Sequence, residues 1–329
     1  MKKAPGWITY RRFVELRTDY IAALSVLFIA TAAVFMGGGA YLTSVVVAFL
    51  FYATVTLGWC LLAGYGGMFS LAPSTTVMIA AYVSAVSSNL GLPMTVAVLL
   101  GIGSGALTGL VVALATSRLK GHYYALATLV AAEILRLVIT NEYEWTGGEA
   151  GLRTGPLFDQ ATGAHFVAIF SVVLVIVLTG LLFALRGTPG IVIQAIRDDD
   201  DIASIRGVNV PLFKTLLVVI GSAITAFAGA VYVHYIQLAT PQMGSLFQTT
   251  LILAIGIIGG VRSMSGPIMG AAIIIALQEL LRDYPFIHMG LTALSILLVC
   301  QFAPAGVAGT LLGRLRRSRE PTVLKEKST

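Results

Sequence analysis

The sequence is poor in charge. Only 11% of its 329 residues are Asp, Glu, Lys or Arg, whereas 57% are hydrophobic, and a soluble domain carries about 25% charged residues. Apolar runs of about 17 to 25 residues recur along the chain, and each is long enough to cross a bilayer core of about 30 Å. These runs lack the alternation of apolar and polar residues that a transmembrane β-barrel needs. The composition therefore predicts an all-α, polytopic helical membrane protein.

Several chemical motifs are also missing. The chain has no glycine-rich loop ending in Gly-Lys-Ser or Gly-Lys-Thr, no HExxH helix and no GxSxG turn, so we expect it neither to hydrolyse ATP nor to transfer acyl groups, and to bind no cofactor. Its two cysteines, Cys60 and Cys300, lie in apolar runs without a nearby histidine. We therefore predict no metal site and interpret both cysteines as small buried hydrophobic residues.

The apolar runs predict about ten transmembrane helices, at 20–37, 41–63, 69–88, 93–116, 121–140, 164–185, 213–236, 247–262, 266–283 and 288–312. With the N-terminus in the cytoplasm, 18 of the 21 Lys and Arg residues fall in cytoplasmic segments, as the positive-inside rule requires. Both termini are thus predicted to be cytoplasmic, and the chain divides into a basic N-terminus, a transmembrane domain and a basic tail, at 1–19, 20–312 and 313–329. The longer loops 141–163 and 186–212 then face outward and the cytoplasm. Glycine-rich stretches such as "GIGSGALTG" (101–109) predict close helix packing.

Charged residues inside the predicted spans are few. Glu133 and Arg136 lie three residues apart and can pair on one helix face, and Glu279 and Arg282 repeat the arrangement. Each pair is either a structural ion pair near a helix end or a polar contact that lines a path. Unpaired carboxylates at mid-membrane, which an ion-coupled transporter would need, are not evident. We interpret His234, near the outer end of its helix, as a satisfied histidine rather than a ligand.

The stretch "GYGGMFSLAPSTT" (64–76) combines glycines, a proline and hydroxyl residues in apolar surroundings. Irregular backbone at membrane depth survives only where protein or a water-filled cavity satisfies it, and transporters use broken helices for their substrate sites. The candidate residues for a translocation path are therefore Ser70, Pro73, Ser74, Thr75 and Thr76, together with Glu133 and Arg136. The alternative is an ordinary turn before a Ser/Thr-containing helix.

The outer loop contains "EYEWTGGEAGL" (142–152). Trp145, Gly147, Gly148 and Glu149 could form a docking surface for an outer partner or a gate. The same residues would also suit a solvated loop with an interfacial tryptophan and a glycine turn.

The order of several motifs resembles that of the branched-chain amino-acid ABC transporter permease of the LivM type. The motifs are "LLAGYGGMFSLAPSTTVMIAAY" (61–82), "LKGHYYALATLVAAEILRLVITNEYEWTGGEAGL" (119–152), "GIVIQAIRDDDDIASIRGVNVPLFK" (190–214), "FAGAVYVHYIQLATPQ" (227–242), "LILAIGIIGGVRSMSGPIMGAA" (251–272) and "FAPAGVAG" (302–309). The resemblance implies that 20–312 is the permease domain of a bacterial inner-membrane importer. It also implies a LivH-type permease partner, two cytoplasmic ATPase subunits that bind ATP and Mg, and a periplasmic substrate-binding protein, with membrane lipid around the chain and no nucleic acid.

The implied substrates are leucine, isoleucine and valine or other hydrophobic amino acids; similar permeases import urea, short amides or aromatic acids. This chain departs from the family pattern in one path segment. It reads "GMFSLAPSTTVMIAAY" where the family commonly reads something like "GQLSLGHAAFFGIGAY", so Ala72-Pro73 replaces a Gly-His pair. The departure puts the substrate, rather than the family, in doubt. An ion-coupled secondary transporter is the alternative of another class.

The acidic run "RDDDD" in the cytoplasmic loop has two interpretations. Locally, aspartates that precede a short helix cap its free N–H groups, which predicts a helix over 199–206. The resemblance to ABC permeases implies in addition that this helix couples the chain to an ATPase. The predicted coupling residues are Asp198, Asp199, Asp200, Asp201, Ile202, Ala203, Ile205, Arg206 and Gly207, with Ile202, Ile205 and Gly207 packing into the partner.

Overall fold

The computed structural model describes residues 6–37, 39–116, 119, 121–158, 162–280, 282 and 290. Most of these residues are helical. The helices are α1 (Gly6–Phe35), α2 (Ala40–Cys60), α3 (Pro73–Asn89), α4 (Met94–Thr116), α5 (His122–Asn141), α6 (Tyr143–Thr146), α7 (Gly163–Arg186), α8 (Thr188–Asp198), α9 (Asp200–Ile205), α10 (Val210–Ile236), α11 (Leu246–Gly259) and α12 (Gly266–Leu280). A π-helical turn, Leu61–Tyr65, extends α2, and 3-10 turns lie at Gly148–Ala150 and Pro241–Gly244. Two short antiparallel strands, β1 (Leu152–Arg153) and β2 (Leu238–Ala239), pair with Leu152 opposite Ala239.

Within the described residues, six helices are long and apolar enough to cross a membrane: Leu16–Phe35, Ala40–Tyr65, Met94–Thr116, His122–Asn141, Gly163–Arg186 and Val210–Ile236. They coincide with six of the ten predicted spans. The helix α1 begins at Gly6, well before the predicted start at residue 20, because a basic segment can continue a helix beyond its apolar part. The predicted span 288–312 and the tail 313–329 lie outside the described residues.

The three other predicted spans are shorter helices. The helices α3, α11 and α12 have 17, 14 and 15 residues, fewer than the roughly 20 that a full crossing needs. For α3 the reason is local, since the predicted span from residue 69 begins in irregular backbone and the helix starts only at Pro73.

The helix α11 begins one residue before the predicted start and ends three residues before the predicted end, where Gly260 has φ of 109°. The chain before it runs back along α3. The helix α10 ends at Ile236 beside the far end of α3, where His234 contacts Ser84. Nine residues later, the Ser245 carbonyl accepts a hydrogen bond from Ser74, near the beginning of α3. Ser84 and Ser74 are ten residues apart on one helix, so residues 237–245 descend about 15 Å before α11 begins.

The centre of the fold is the packing of α10 against α2, α3 and α4, and small residues make it close. A Cβ added at Gly101, Gly105 or Gly109 of α4 would lie 2.8, 2.3 or 2.4 Å from side-chain atoms of Ala230, Ala226 or Ser222 of α10. The four-residue spacing therefore forms a continuous groove for α10. This confirms the close packing predicted from the stretch 101–109.

Candidate functional site

The path candidates of segment 64–76 surround a break between two helices. The π-helical turn ends at Tyr65, the backbone is irregular over 66–72, and Pro73 occupies the first turn of α3, where its missing N–H costs nothing. Neighbouring helices satisfy this backbone: Trp59 Nε1 donates to the Ser70 carbonyl at 2.8 Å, and the Leu71 amide donates to Thr128 Oγ1 at 3.0 Å. The segment is thus held in place by hydrogen bonds from α2 and α5.

Four of the five candidate path residues in this segment line the same small cavity. Ser70, Pro73, Thr75 and Thr76 line a cavity of about 30 Å³ that is also lined by Thr108, Ser222 and Thr225. The fifth, Ser74, points elsewhere and bonds Thr249 Oγ1 at 2.5 Å. Thr75 Oγ1 is buried without a hydrogen-bond partner among the described residues. A cavity of this size holds about one water molecule.

The candidates Glu133 and Arg136 belong to α5 and do not line this cavity. Ala131 and Ala132 of this helix line the small cavity, and Tyr124, Thr128 and Ala132 are its buried face. Glu133 points away from that face, among exposed apolar residues that include Leu126, Val130 and Leu137. Arg136 Nε donates to Glu133 Oε2 at 3.0 Å, and the two side chains are 22% (Arg136) and 45% (Glu133) exposed. The predicted ion pair is therefore confirmed, and it is partly exposed in the second half of α5.

The second predicted ion pair has a different setting. Arg282 Nη1 lies 3.4 Å from Glu279 Oε1. The Tyr41 hydroxyl donates to Glu279, and the Arg282 guanidinium lies 5.5 Å from the centre of the Tyr41 ring. This pair attaches the end of α12 to the beginning of α2, which is a structural role.

The outer loop is tied to the helices by a histidine. His234 is 1% exposed; its Nε2 lies 2.9 Å from Ser84 Oγ and its Nδ1 lies 3.0 Å from the Gly155 carbonyl. The interpretation of His234 as a satisfied histidine is confirmed. In the described part of the chain, no three His, Cys, Asp or Glu side chains come together as a metal site would require.

The predicted docking residues lie at the tip of that loop. Trp145 is 60% exposed and Glu149 is exposed as well, whereas Gly148 is buried. Gly147 and Gly148 both have positive φ, of 72° and 59°, which a glycine adopts without strain. The glycine pair shapes the turn, and Trp145 and Glu149 are available at the surface.

The acidic run forms the predicted capped helix. Asp199 Oδ1 accepts from the amides of Asp201 and Ile202 at 2.9 and 3.0 Å, and α9 follows as Asp200–Ile205. Gly207, with φ of 83°, ends the turn after Arg206. The helix predicted over 199–206 is therefore confirmed, with Asp199 as its cap.

The two sides of α9 differ. Ile202 and Ile205 are 50% and 85% exposed, while Ala203 is 1% exposed and packs with Ile196 and Val210. Asp198 pairs with Arg197 at 2.9 Å, and Asp200 forms an ion pair with Lys214 of α10. Sequence reasoning missed Lys214, because nothing local marks a lysine fourteen residues away as the partner of Asp200.

Sequence comparisons relate this chain to transport proteins. The family described as "Branched-chain amino acid transport system / permease component" matches residues 41–301. The high-affinity branched-chain amino acid transport system permease protein LivM of Salmonella typhimurium is 24% identical over 281 residues, or 77% of this chain and 64% of that protein. LivM of Escherichia coli is 25% identical over 283 residues, with the same two shares. The probable branched-chain amino acid transport permease protein LivM of Methanocaldococcus jannaschii is 26% identical over 231 residues, or 68% of this chain and 66% of that protein.

The matched region thus spans 64% of the length of the first two relatives. No solved structure gives a significant match to the chain.

Proposed function

Since this chain belongs to the family of branched-chain amino acid transport system permease components, we propose that it is a membrane subunit of an ABC importer. In this proposal it takes up branched-chain or other hydrophobic amino acids across a bacterial inner membrane by ATP-driven alternating access. ATP and Mg bind to two cytoplasmic ATPase subunits, and no covalent chemistry occurs in this chain. The observation that carries the proposal is the family match together with a short, capped helix that presents Ile202 and Ile205 beyond the helix bundle.

The substrate path is proposed to run along α5. A partly exposed charged pair on a membrane helix is costly in lipid, so Glu133 and Arg136 favour a cover of protein or water rather than acyl chains. A LivH-type permease would supply that cover, and the path would lie between the two subunits.

The hydroxyl residues are proposed to join this path when α5 moves. Ser70, Pro73, Thr75 and Thr76 line a cavity that Ala131 and Ala132 of α5 also line. A cavity of about 30 Å³ does not admit an amino acid, so movement of α5 is required for these residues to reach substrate. Ser74 would act by holding α3 against α11.

The two ends of the bundle are proposed to bind different partners. Asp198–Asp201, Arg206 and Gly207 surround the exposed isoleucines at the end assigned to the cytoplasm, where the ATPase would dock. Trp145, Gly147, Gly148 and Glu149 lie at the opposite end, where the periplasmic binding protein would deliver substrate.

The test is reconstitution of both permeases, both ATPase subunits and the binding protein in liposomes, with radiolabelled leucine as substrate. Uptake is expected with ATP and to stop when an ATPase variant that cannot hydrolyse ATP is used. Uptake that persists with that variant and follows a proton or sodium gradient would establish an ion-coupled secondary transporter instead.

The substrate class needs its own measurement. The Ala72-Pro73 departure and the hydroxyl-lined cavity leave a permease for urea, short amides or aromatic acids as the second candidate. Competition of leucine, isoleucine and valine against urea, acetamide and an aromatic acid for the binding protein distinguishes the two, because that protein selects the substrate first.

A further inference from the structure

The coupling helix α9 is part of a packed unit with α8 and the beginning of α10. Ala203 lies in a small hydrophobic cluster with Ile196 of α8 and Val210 of α10, and Phe213 packs against this cluster. Because this cluster is separate from the main core, α8, α9 and the first turn of α10 are joined to each other by their own apolar contacts.

An ion pair adds a second attachment within this unit. Lys214 Nζ contacts Asp200 Oδ2, and the two side chains are only 25% and 21% exposed. A pair shielded in this way is screened less by salt than an exposed one. It fixes the first turn of α9 to α10, the helix that packs against α2, α3 and α4.

The unit touches the irregular segment 66–72 where Gly67 meets Arg197. A Cβ added at Gly67 would lie 2.9 Å from Arg197 Cγ, 3.5 Å from its Cα and 3.6 Å from its Cβ. Gly67 has φ of 70°, so both its conformation and its lack of a side chain permit this approach. Ser70, whose carbonyl is held by Trp59, is three residues further along.

A cleft borders this contact. It has a volume of about 270 Å³ and is lined on one side by Gly66–Phe69 and on the other by Arg197–Asp201 and Lys214. The irregular segment and the coupling unit are thus in contact at Gly67 and Arg197 and separated by open space beside it. Displacement of the unit would reach the segment through this contact.

We propose that the Gly67–Arg197 contact transmits movement of the coupling helix to the path segment, with the Asp200–Lys214 ion pair keeping α9 and α10 moving together. Arg197 and Lys214 are positioning residues that touch no substrate. The inference rests on the proposed function, since it names the residues through which ATPase docking acts on the path.

The first experiment measures leucine transported per ATP hydrolysed in the reconstituted complex, together with the amount of ATPase that co-purifies. Arg197→Ala and Lys214→Met are each expected to lower this ratio by about five- to tenfold while the ATPase remains bound. The matched control is Arg262→Ala, which removes an exposed arginine from the turn between α11 and α12. The double charge reversal Asp200→Lys with Lys214→Asp is expected to restore most of the ratio lost in Lys214→Met.

The second experiment replaces the contact by a covalent bond. A Cβ–Cβ distance of 3.6 Å lies in the range of about 3.5 to 4.5 Å found in disulfides, so a Gly67→Cys, Arg197→Cys variant can be cross-linked by an added oxidant. The reduced variant is expected to be uncoupled, the oxidised variant to recover, and a reductant to reverse the recovery. Each variant with only one of the two added cysteines should show no response to the oxidant, which also controls for the native Cys60 and Cys300.

The outcomes separate the two proposals. If the unaltered complex shows no ATP-driven uptake, the proposed function fails. If the unaltered complex is active, the inference is overturned by an unchanged transport ratio in Arg197→Ala, by failure of the two cysteines to cross-link, or by an oxidised form that stays uncoupled.

Discussion

The irregular segment 66–72 and the proposed coupling segment 188–207 both interrupt the long apolar helices, but their backbone groups are satisfied in different ways. The first is satisfied from outside, by Trp59 of α2 and Thr128 of α5. In the second, the termini of the short helix are closed by its own residues, through the Asp199 cap and the Gly207 turn. A break at membrane depth needs its neighbours, because no water is available to satisfy its backbone, whereas a helix in water can be closed by its own residues.

Of the changes considered, replacement of Trp59 should have the largest effect on the stability of the irregular segment. Trp59 is 1% exposed, so Trp59→Ala should destabilise the protein by about 3–5 kcal/mol through lost packing and a lost hydrogen bond. Thermal unfolding in detergent measures the loss. Trp59→Phe keeps most of the apolar contact but loses the bond to the Ser70 carbonyl, so it should cost less, about 1–3 kcal/mol. A cost near zero for Trp59→Phe would mean that the bond to Ser70 contributes nothing.

Thr128→Val should have a smaller effect of the same kind. The change keeps the shape of the side chain but leaves the Leu71 amide without its acceptor, which costs about 1–3 kcal/mol. Hydrogen exchange of residues 66–72 should accelerate. Thr128→Ser, which retains the hydroxyl, serves as the control, and similar exchange in the two variants would contradict the assigned contact.

Asp199→Ala should affect only the coupling segment. Loss of an N-cap costs about 1 kcal/mol, so exchange protection over 200–205 should fall while the global unfolding temperature stays nearly constant. Asn can still accept the two amide hydrogen bonds, and Asp199→Asn should therefore retain the protection. A lower unfolding temperature in Asp199→Ala would mean that the cap supports the core as well.

Ile205→Glu should have the smallest effect on stability, within about 0.5 kcal/mol, because the side chain is 85% exposed. Its effect on ATPase co-purification should nevertheless be large, since a charge would enter the proposed docking contact. Leu212→Glu, at an exposed position of the same end of the bundle, is the control. Equal co-purification for both variants would remove Ile205 from the docking surface.

The sequence by itself determined what depends on near neighbours along the chain. The six long apolar runs, the pairing of Glu133 with Arg136 three residues later and the capped helix after Asp199 all follow from helical spacing and capping chemistry. The sequence also predicted that His234 is hydrogen-bonded and that helices pack closely at Gly105. It did not predict which residues they contact. The equal spacing of Glu133–Arg136 and Glu279–Arg282 suggested the same role for both pairs. The contacts with Tyr41 instead give the second pair a structural role of its own.

Only the tertiary structure decided which distant residues meet. The return of residues 237–245 along α3 depends on the contacts of His234 with Ser84 and of Ser245 with Ser74, which the apolar composition did not indicate. The hydrogen bond from Trp59 to Ser70, the contact of Gly67 with Arg197 and the ion pair of Asp200 with Lys214 depend on how whole helices are placed. Such placement follows from the summed packing of many small residues across α2, α3, α4 and α10, which no short stretch of the sequence encodes.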